Sequence, residues 1–358
     1  MNVTYENLVV QKDLDYISHV EFIDWNRFEG KTVLITGAYG MLASYLVYQL
    51  CYLNEKLDIS VDIIACGRSA QKAKDRFGDS IDKPYFTFME WDMTELLPSN
   101  LDTVDFIIHA ASLASPQYYS TDPIGVLLPN IEGVKNTLEL ARKCAVEGYL
   151  FISSGEVYGE VTEAFIREDS YGYLDPLSVR SCYGESKRMG ETMCACWHHQ
   201  YDVPATIVRP SHTYGPTMDI ENDQRVYASF MKNIIKDEDI VMNSDGSAWR
   251  TFCYIADATV AYFKVLLDGE TGQAYNVANE DAEMSILELA ELLVSLAPSG
   301  KLRVVRGEHA ANYVERKSVT HPRTSVDKSK ALGIEYKFSP EEGFGRTIES
   351  FRLAENVL

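Results

Sequence analysis

Tyr183 and Lys187 stand four residues apart in Arg180-Ser-Cys-Tyr-Gly-Glu-Ser-Lys187, a spacing that puts both side chains on one helix face, a turn apart. An ammonium beside a phenol favours the phenolate and draws its pKa toward neutrality. Such a phenolate can act as a general base on a sugar hydroxyl. The same spacing occurs in plain surface pairs, so a second feature is needed. Upstream, Gly37-Ala-Tyr-Gly40-Met-Leu-Ala43 follows the apolar run 32–36 and opens an apolar helix, the context of a dinucleotide-binding turn. Gly37 permits the tight turn, Gly40 lets the backbone approach a pyrophosphate, and small Ala43 lets the helix lie close to the sheet. The helix N-terminus then offers N–H groups to phosphate.

Other residues fit the same chemistry. The second apolar run ends Ala65-Cys-Gly-Arg68-Ser69, without the acid that would bind free ribose hydroxyls. Arg68 with Ser69 could hold a 2′-phosphate, which tilts an NAD(P) site toward NADP; otherwise Arg68 is simply solvated. Asp92 is a candidate for the adenine edge or a loop acid. Ser154 is expected to share the hydrogen bond of Tyr183. Glu156, two residues on, faces the same side if the backbone is extended. It is then a base or a reader of the substrate; the alternative is a buried carboxylate bonded to local backbone. Arg225 and Arg250 offer guanidinium forks to a diphosphate; Arg250 could instead meet a sugar carboxylate, and either could be a surface ion pair.

These groups need a rigid frame. Apolar runs at 32–36, 61–65, 85–91, 104–109, 149–153 and 205–208 alternate with helical patterns, including 124–145 and the Tyr183 segment. That alternation predicts an α/β fold, a Rossmann doubly wound parallel sheet with a smaller C-terminal α/β substrate-binding lobe. Residues 1–28 show no clear periodicity and read as an N-terminal extension. The cofactor domain is expected over 29–209 plus roughly 250–280, and the substrate lobe over 210–249 and 281–358. Its helical patterns fall near 224–236, 255–267, 285–296 and 339–354.

The 358 residues carry a net charge of −20, which opposes binding to nucleic acid or an anionic membrane. No run of ~18 apolar residues or basic-then-apolar leader occurs, so neither a membrane span nor export is expected. Seven scattered cysteines read as packed thiols of a reducing cytoplasm, and no metal site is expected.

The ordered set Thr36-Gly-Ala-Tyr-Gly40, His109-Ala-Ala-Ser112, Ser153-Ser-Gly-Glu-Val-Tyr-Gly159, Tyr183…Lys187, Arg209-Pro-Ser-His-Thr-Tyr-Gly-Pro216, Arg250-Thr-Phe-Cys-Tyr-Ile-Ala-Asp257 and Tyr275-Asn-Val-Ala-Asn279 resembles the extended short-chain dehydrogenase/reductases that remodel nucleotide sugars. Within them, Ala114-Ser-Pro-Gln-Tyr-Tyr119, Asp122-Pro-Ile124, Asn130, Arg180-Ser-Cys-Tyr183 and Asp223-Gln-Arg225-Val226 look like the UDP-glucuronate decarboxylases. The likeness implies oxidation at C4 through a 4-keto intermediate and a homodimer built on the Tyr183 helix. It implies cofactor contacts at Gly37, Tyr39, Gly40, Met41, Arg68, Ser69, Asp92, Met93, Ala110, Ala111, Ser112, Lys187 and Arg209. Catalysis falls to Tyr183, Lys187, Ser154 and Glu156, and a nucleoside-diphosphate sugar to Ser115, Tyr118, Arg225, Arg250 and Arg323. One departure matters. Those decarboxylases carry Thr-Ser-Glu where this chain has Ser154-Gly155-Glu156, and Gly155 lacks the acid of the dTDP-glucose 4,6-dehydratases. Decarboxylation or net NADPH-dependent reduction of a keto sugar therefore stays open.

Overall fold

The computed structural model describes residues 2–98, 101, 103–307 and 323–355. Seven parallel strands form its central sheet: β1 (Lys31–Thr36), β2 (Val61–Gly67), β3 (Phe86–Glu90), β4 (Phe106–His109), β5 (Gly148–Ile152), β6 (Ala205–Pro210) and β7 (Ala274–Val277). Their order is β7-β6-β5-β4-β1-β2-β3. Alternate residues feed two cores: Val33, Ile35, Phe106 and Ile108 pack on one face, Leu34 and Ile107 on the other. A strand buried on both sides must be apolar throughout, which is why these runs lack a polar alternation. The helices Met41–Lys56 and Ile255–Asp268 belong to the first core, and Val134–Cys144 with the inner side of Cys182–Tyr201 to the second.

Chain order reverses between β1 and β4, which pair in register at Thr36 and His109. The loops leaving these strands therefore part, opening a crevice at the carboxyl end of the sheet. Around it stand the Gly37 turn, the Ala110–Ser112 segment and the residues that follow β5.

Two local expectations are corrected. Residues 1–28 are not aperiodic: Leu8–Ser18 is a helix capped by Asn7, with Val9, Val10, Asp13, Leu14 and Ile17 buried. The spacing is helical, but a buried aspartate breaks the apolar stripe by which such a face is recognised. The Asp13 carboxylate accepts from Tyr45 at 2.7 Å, Tyr254 at 2.6 Å and Arg346 at 2.7 Å. The helix is thus tied to both the cofactor-side helix and the C-terminal helix Pro340–Glu355. The stretch 124–145 is likewise interrupted: helix Pro123–Leu128 passes into Val134–Cys144 through a π turn at Pro129–Gly133. Pro129 lacks an N–H, and the Asn130 amide donates at 3.0 Å to both Val126 O and Ser186 Oγ, so the turn widens beside the Tyr183 helix.

Beyond β6, Trp249–Tyr254 lies between a parallel strand, His212–Tyr214, and an antiparallel one, Glu283–Ser285. Two short parallel pairs, Ile240–Met242 with Val304–Arg306 and Phe165–Ile166 with Arg323–Thr324, complete this part. The Tyr214 and Phe344 rings stack at 3.8 Å at its centre. Residues 308–322 and 356–358 of the expected substrate lobe, and Met1, lie outside the described residues. No helix among the described residues is long and apolar enough to cross a membrane.

Candidate active site

The cofactor side is built by close backbone approach. Gly37 has φ +62°, and a Cβ there would stand 2.8 Å from Ala111 Cα; only glycine allows β1 and β4 to deliver their loops so near each other. Thr36 Oγ1 accepts from the backbone N–H groups of Ala110 and Ala111 at 3.1 and 3.2 Å. Gly40 is the N-cap of Met41–Lys56 and has no side chain to occupy the helix's free N–H groups. The Ser112 hydroxyl is buried without a partner among the described residues. A glycine cradle, an uncapped helix start and an orphaned hydroxyl fit a dinucleotide.

At the end of β2, the Tyr39 ring lies so close to Gly67 that a Cβ on Gly67 would meet it at 2.5 Å. Tyr39 OH accepts from Arg68 N at 3.2 Å. Arg68 is paired with Asp92 at 3.9 Å, so two residues read separately in the sequence form one exposed ion pair. Ser69 spends its hydroxyl capping helix Ala70–Phe77, accepting from Lys72 N at 3.3 Å. Met93 is buried, its carbonyl held by Asn136. Arg209 departs from expectation. Its guanidinium meets both carboxylate oxygens of Glu191, at 2.9 and 2.7 Å, as well as Tyr158 OH and Glu168 O. It lines a cavity of about 610 Å³ with Arg167, Gln273 and Lys328 that contains none of the Gly37 turn. A guanidinium surrounded by these acceptors is not directed at a dinucleotide.

Tyr183 and Lys187 lie on helix Cys182–Tyr201, both nearly fully buried. Lys187 Nζ donates to Ile152 O at 2.7 Å and stands 5.9 Å from the Tyr183 ring centroid. The expected lowering of the phenol's pKa is reversed. Burial pushes Tyr183 up to about 12, although the Ser154 hydrogen bond and Arg225 act in the opposite sense. Burial likewise brings Lys187 down to about 7, against the pull of Glu191. Desolvation disfavours each charged form, and in this pair it outweighs proximity.

Ser154 is brought close enough to Tyr183 to oppose the rise of its pKa. The extended path from Ser154 to Glu156 is absent. The chain turns into a 3₁₀ helix at Gly155–Tyr158 that Ser154 caps, accepting from Glu156 N at 3.2 Å. Glu156 is consequently exposed and paired with Arg180 at 3.4 Å, rather than aligned with the serine. Its charge still reaches Tyr183.

On the expected substrate side, Ser115 Oγ is buried without a partner among the described residues. Tyr119, not Tyr118, meets the catalytic candidate: its ring stacks on Tyr183 with centroids 5.1 Å apart, and Arg180 covers its face at 4.6 Å. Tyr118 is half-buried in the same cluster. Arg225 binds Asp223 through Nε and Nη2 and lies over the Tyr227 ring at 4.9 Å; its charge reaches Tyr183. Arg250 is exposed, its Nη1 on Trp249 O. Burial, then Arg250 and Arg225, hold His212 down at about 3, so a neutral imidazole joins two guanidiniums. Arg323 is exposed and pairs with Glu283 at 2.9 Å.

Arg180, His212 and Glu191 escaped the sequence reading as site residues, and Tyr119, expected beside Tyr118 as a sugar contact or a packed aromatic, stacks on Tyr183. Glu191 carried a signal, standing four residues after Lys187 on the same helical stripe. Ring stacking and the proximity of His212 to two arginines come from segments far apart in the chain.

The profile of the NAD dependent epimerase/dehydratase family matches residues 33–278. UDP-glucuronic acid decarboxylase 3 of Arabidopsis thaliana is 32% identical over 327 residues, 91% of this chain and 90% of its own. UDP-glucuronic acid decarboxylase 1 of Danio rerio is 32% identical over 322 residues, covering 90% of this chain and 72% of its own. Among solved structures, the fold is similar to UDP-glucose 4-epimerase of Thermotoga maritima with UDP-glucose, at TM-score 0.75 and 22% identity over 90% of this chain and 99% of that one. It is also similar to UDP-glucuronic acid 4-epimerase of Bacillus cereus in complex with NAD, at TM-score 0.71 and 21% identity over 90% and 97%.

Proposed function

Because this chain belongs to the NAD dependent epimerase/dehydratase family, we propose that it oxidises C4 of a nucleoside-diphosphate sugar, with UDP-glucuronate decarboxylation as the net reaction. One observation carries the reading: Tyr183, close to Ser154 just past β5, shares one buried helical face with Lys187, whose ammonium is anchored on Ile152 O at 2.7 Å. The names of the relatives at 32% identity support the substrate.

Gly37, Gly40, Met41, Ala110, Ala111 and Ser112 would hold the dinucleotide. Once bound, its nicotinamide supplies an acceptor for hydride and returns that hydride at the end of the cycle. Burial favours the phenol, so Tyr183 first gives its own proton to solvent; as the phenolate, which the Lys187 ammonium stabilises, it takes the proton of the C4 hydroxyl that Ser154 orients. A ketone at C4 makes a C6 carboxylate a β-keto acid. The C5–C6 bond then breaks, its electron pair enters an enolate, CO₂ leaves, and a proton returns to C5. Arg180 and Glu156 stand at the rim of the stacked Tyr119–Tyr183 pair, where they would read the C5–C6 end. Arg225 and Arg250 would hold the diphosphate, with Ser115, Tyr118 and Arg323 as further contacts. In this proposal the carrier is NADP, since β2 ends in Arg68 without an acid, and two chains pair along the Tyr183 helix, where Met189 is half exposed.

A second reading is net reduction of a nucleotide-linked keto sugar by NADPH. Gly155 favours it, because the position has no acid and a Cβ there would meet Pro210 O at an ordinary 3.6 Å. Incubation with UDP-, dTDP-, CDP- and GDP-sugars, with NAD⁺, NADP⁺ or NADPH, separates the two by product mass. Loss of CO₂ from UDP-glucuronate is expected. Gain of two hydrogens by a keto sugar selects the reductase, and an unchanged panel defeats both.

A further inference from the structure

Three consecutive residues at the end of β5 each meet a different residue of one helical stripe. Ile152 O accepts from Lys187 Nζ at 2.7 Å, Ser153 Oγ donates to Glu191 at 2.5 Å, and Ser154 lies close enough to Tyr183 to act on its phenol. On the helix these partners stand at 183, 187 and 191, successive positions of one face. Glu191 is the member the proposed reaction does not use.

We infer that Glu191 is a positioning residue: with Arg209 and Ser153 it locks Lys187 and Ser154 into one frame around Tyr183. Its two oxygens are taken up by three charge-assisted or hydroxyl bonds: from Ser153 Oγ, Arg209 Nε at 2.9 Å and Arg209 Nη2 at 2.7 Å. The ion pair is nearly sealed, with side-chain exposures of 10% for Arg209 and 12% for Glu191. Arg209 extends the frame. Its Nη1 donates to Tyr158 OH at 2.9 Å, and Tyr158 OH donates to the fully buried Asn276 at 2.5 Å. Arg209 lies on β6, Asn276 on β7, and Tyr158 closes the 3₁₀ turn that Ser154 opens. The ends of three neighbouring strands are thus tied to the helix through one carboxylate.

The same carboxylate acts electrostatically on Lys187. The groups facing that ammonium are Tyr183, Glu191 and Cys194 on its own helix, His109 on β4 and the Phe151 ring on β5. His109 is held neutral, since burial and Lys187 push it down to about 3, and burial raises the Cys194 thiol. Glu191 is therefore the anion that opposes desolvation of Lys187.

This inference rests on the proposed catalytic role of Lys187, and its test reads the lysine rather than turnover. The ammonium is titrated by NMR of the ¹⁵N-lysine-labelled full-length protein, its signal assigned by its absence in Lys187→Met. In Glu191→Gln, which keeps an acceptor but removes the charge, the midpoint should fall by about one pH unit. Where a sugar is turned over, kcat should fall about tenfold with KM changed less than about twofold. If Glu191→Gln fails to fold because Arg209 is left unpaired, Glu191→Gln combined with Arg209→Met removes both charges and is read in the same way. An unchanged lysine midpoint in the folded variant overturns the proposal. A wild-type protein that turns over no sugar would instead sink the catalytic reading, while the lysine titration still decides the coupling.

Discussion

Lys187 donates its ammonium to the carbonyl oxygen of Ile152 at 2.7 Å, two residues before Ser154. The bond runs from the second turn of one helix to the last residue of β5. Lys187 is only 2% exposed. It is therefore fixed in place but costly to keep charged.

That cost has a pH signature. Burial holds the folded-state pKa of Lys187 at about 7, below its ordinary 10.5. Between those values the unfolded chain binds a proton that the folded chain does not, so the contribution of this group to stability rises with pH from about 7 to about 10.5. Below about 7 both states are protonated and the slope vanishes. Urea unfolding of the wild type and Lys187→Met at pH 6 to 10 should show the wild type gaining stability relative to the variant as pH rises. A constant difference across that range would contradict the burial argument.

Tyr183→Phe removes the hydroxyl proposed to take the substrate's proton and leaves the ring on Tyr119. Loss of a general base costs about 10²–10⁴ in rate, so turnover should fall at least about a hundredfold. Calorimetric binding of the nucleoside diphosphate should stay within about twofold, because uniform binding is not made by that group. Full activity would remove Tyr183 from the chemistry.

Gly37→Ala should damage fold and cofactor site together. The backbone sits at φ +62°, and the new methyl would press on Ala111 Cα at 2.8 Å. The left-handed conformation alone costs about 1–2 kcal/mol, and displacement of the Ala110–Ser112 segment adds to it. Denaturant titration should show that loss. NADPH fluorescence titration should show affinity reduced at least about tenfold.

Asp13→Ala should destabilise the chain by about 3 kcal/mol, because it leaves Arg346 Nη1 and two buried tyrosine hydroxyls without their acceptor, although Arg346 keeps Glu342. Tyr254→Phe, which removes one hydrogen bond and leaves the ion pair, should cost less, about 1 kcal/mol. Comparing their unfolding midpoints tests whether the N-terminal helix is held by this carboxylate. Equal small losses would show that its apolar side does the holding.

The sequence alone determined the strands, because a strand buried on both faces can hardly be anything but an apolar run, as 32–36 and 104–109 are. It also determined the Gly37 turn and the Tyr183–Lys187 stripe, since φ freedom and i,i+4 spacing are local properties. Tertiary structure decided what those residues experience. Arg209 turned to Glu191, Arg68 to Asp92, Glu156 to Arg180, and Tyr119 rather than Tyr118 to Tyr183. Ion pairs and ring stacks join segments far apart in the chain, and burial, which no spacing encodes, moved Tyr183 up where a neighbouring charge was expected to bring it down.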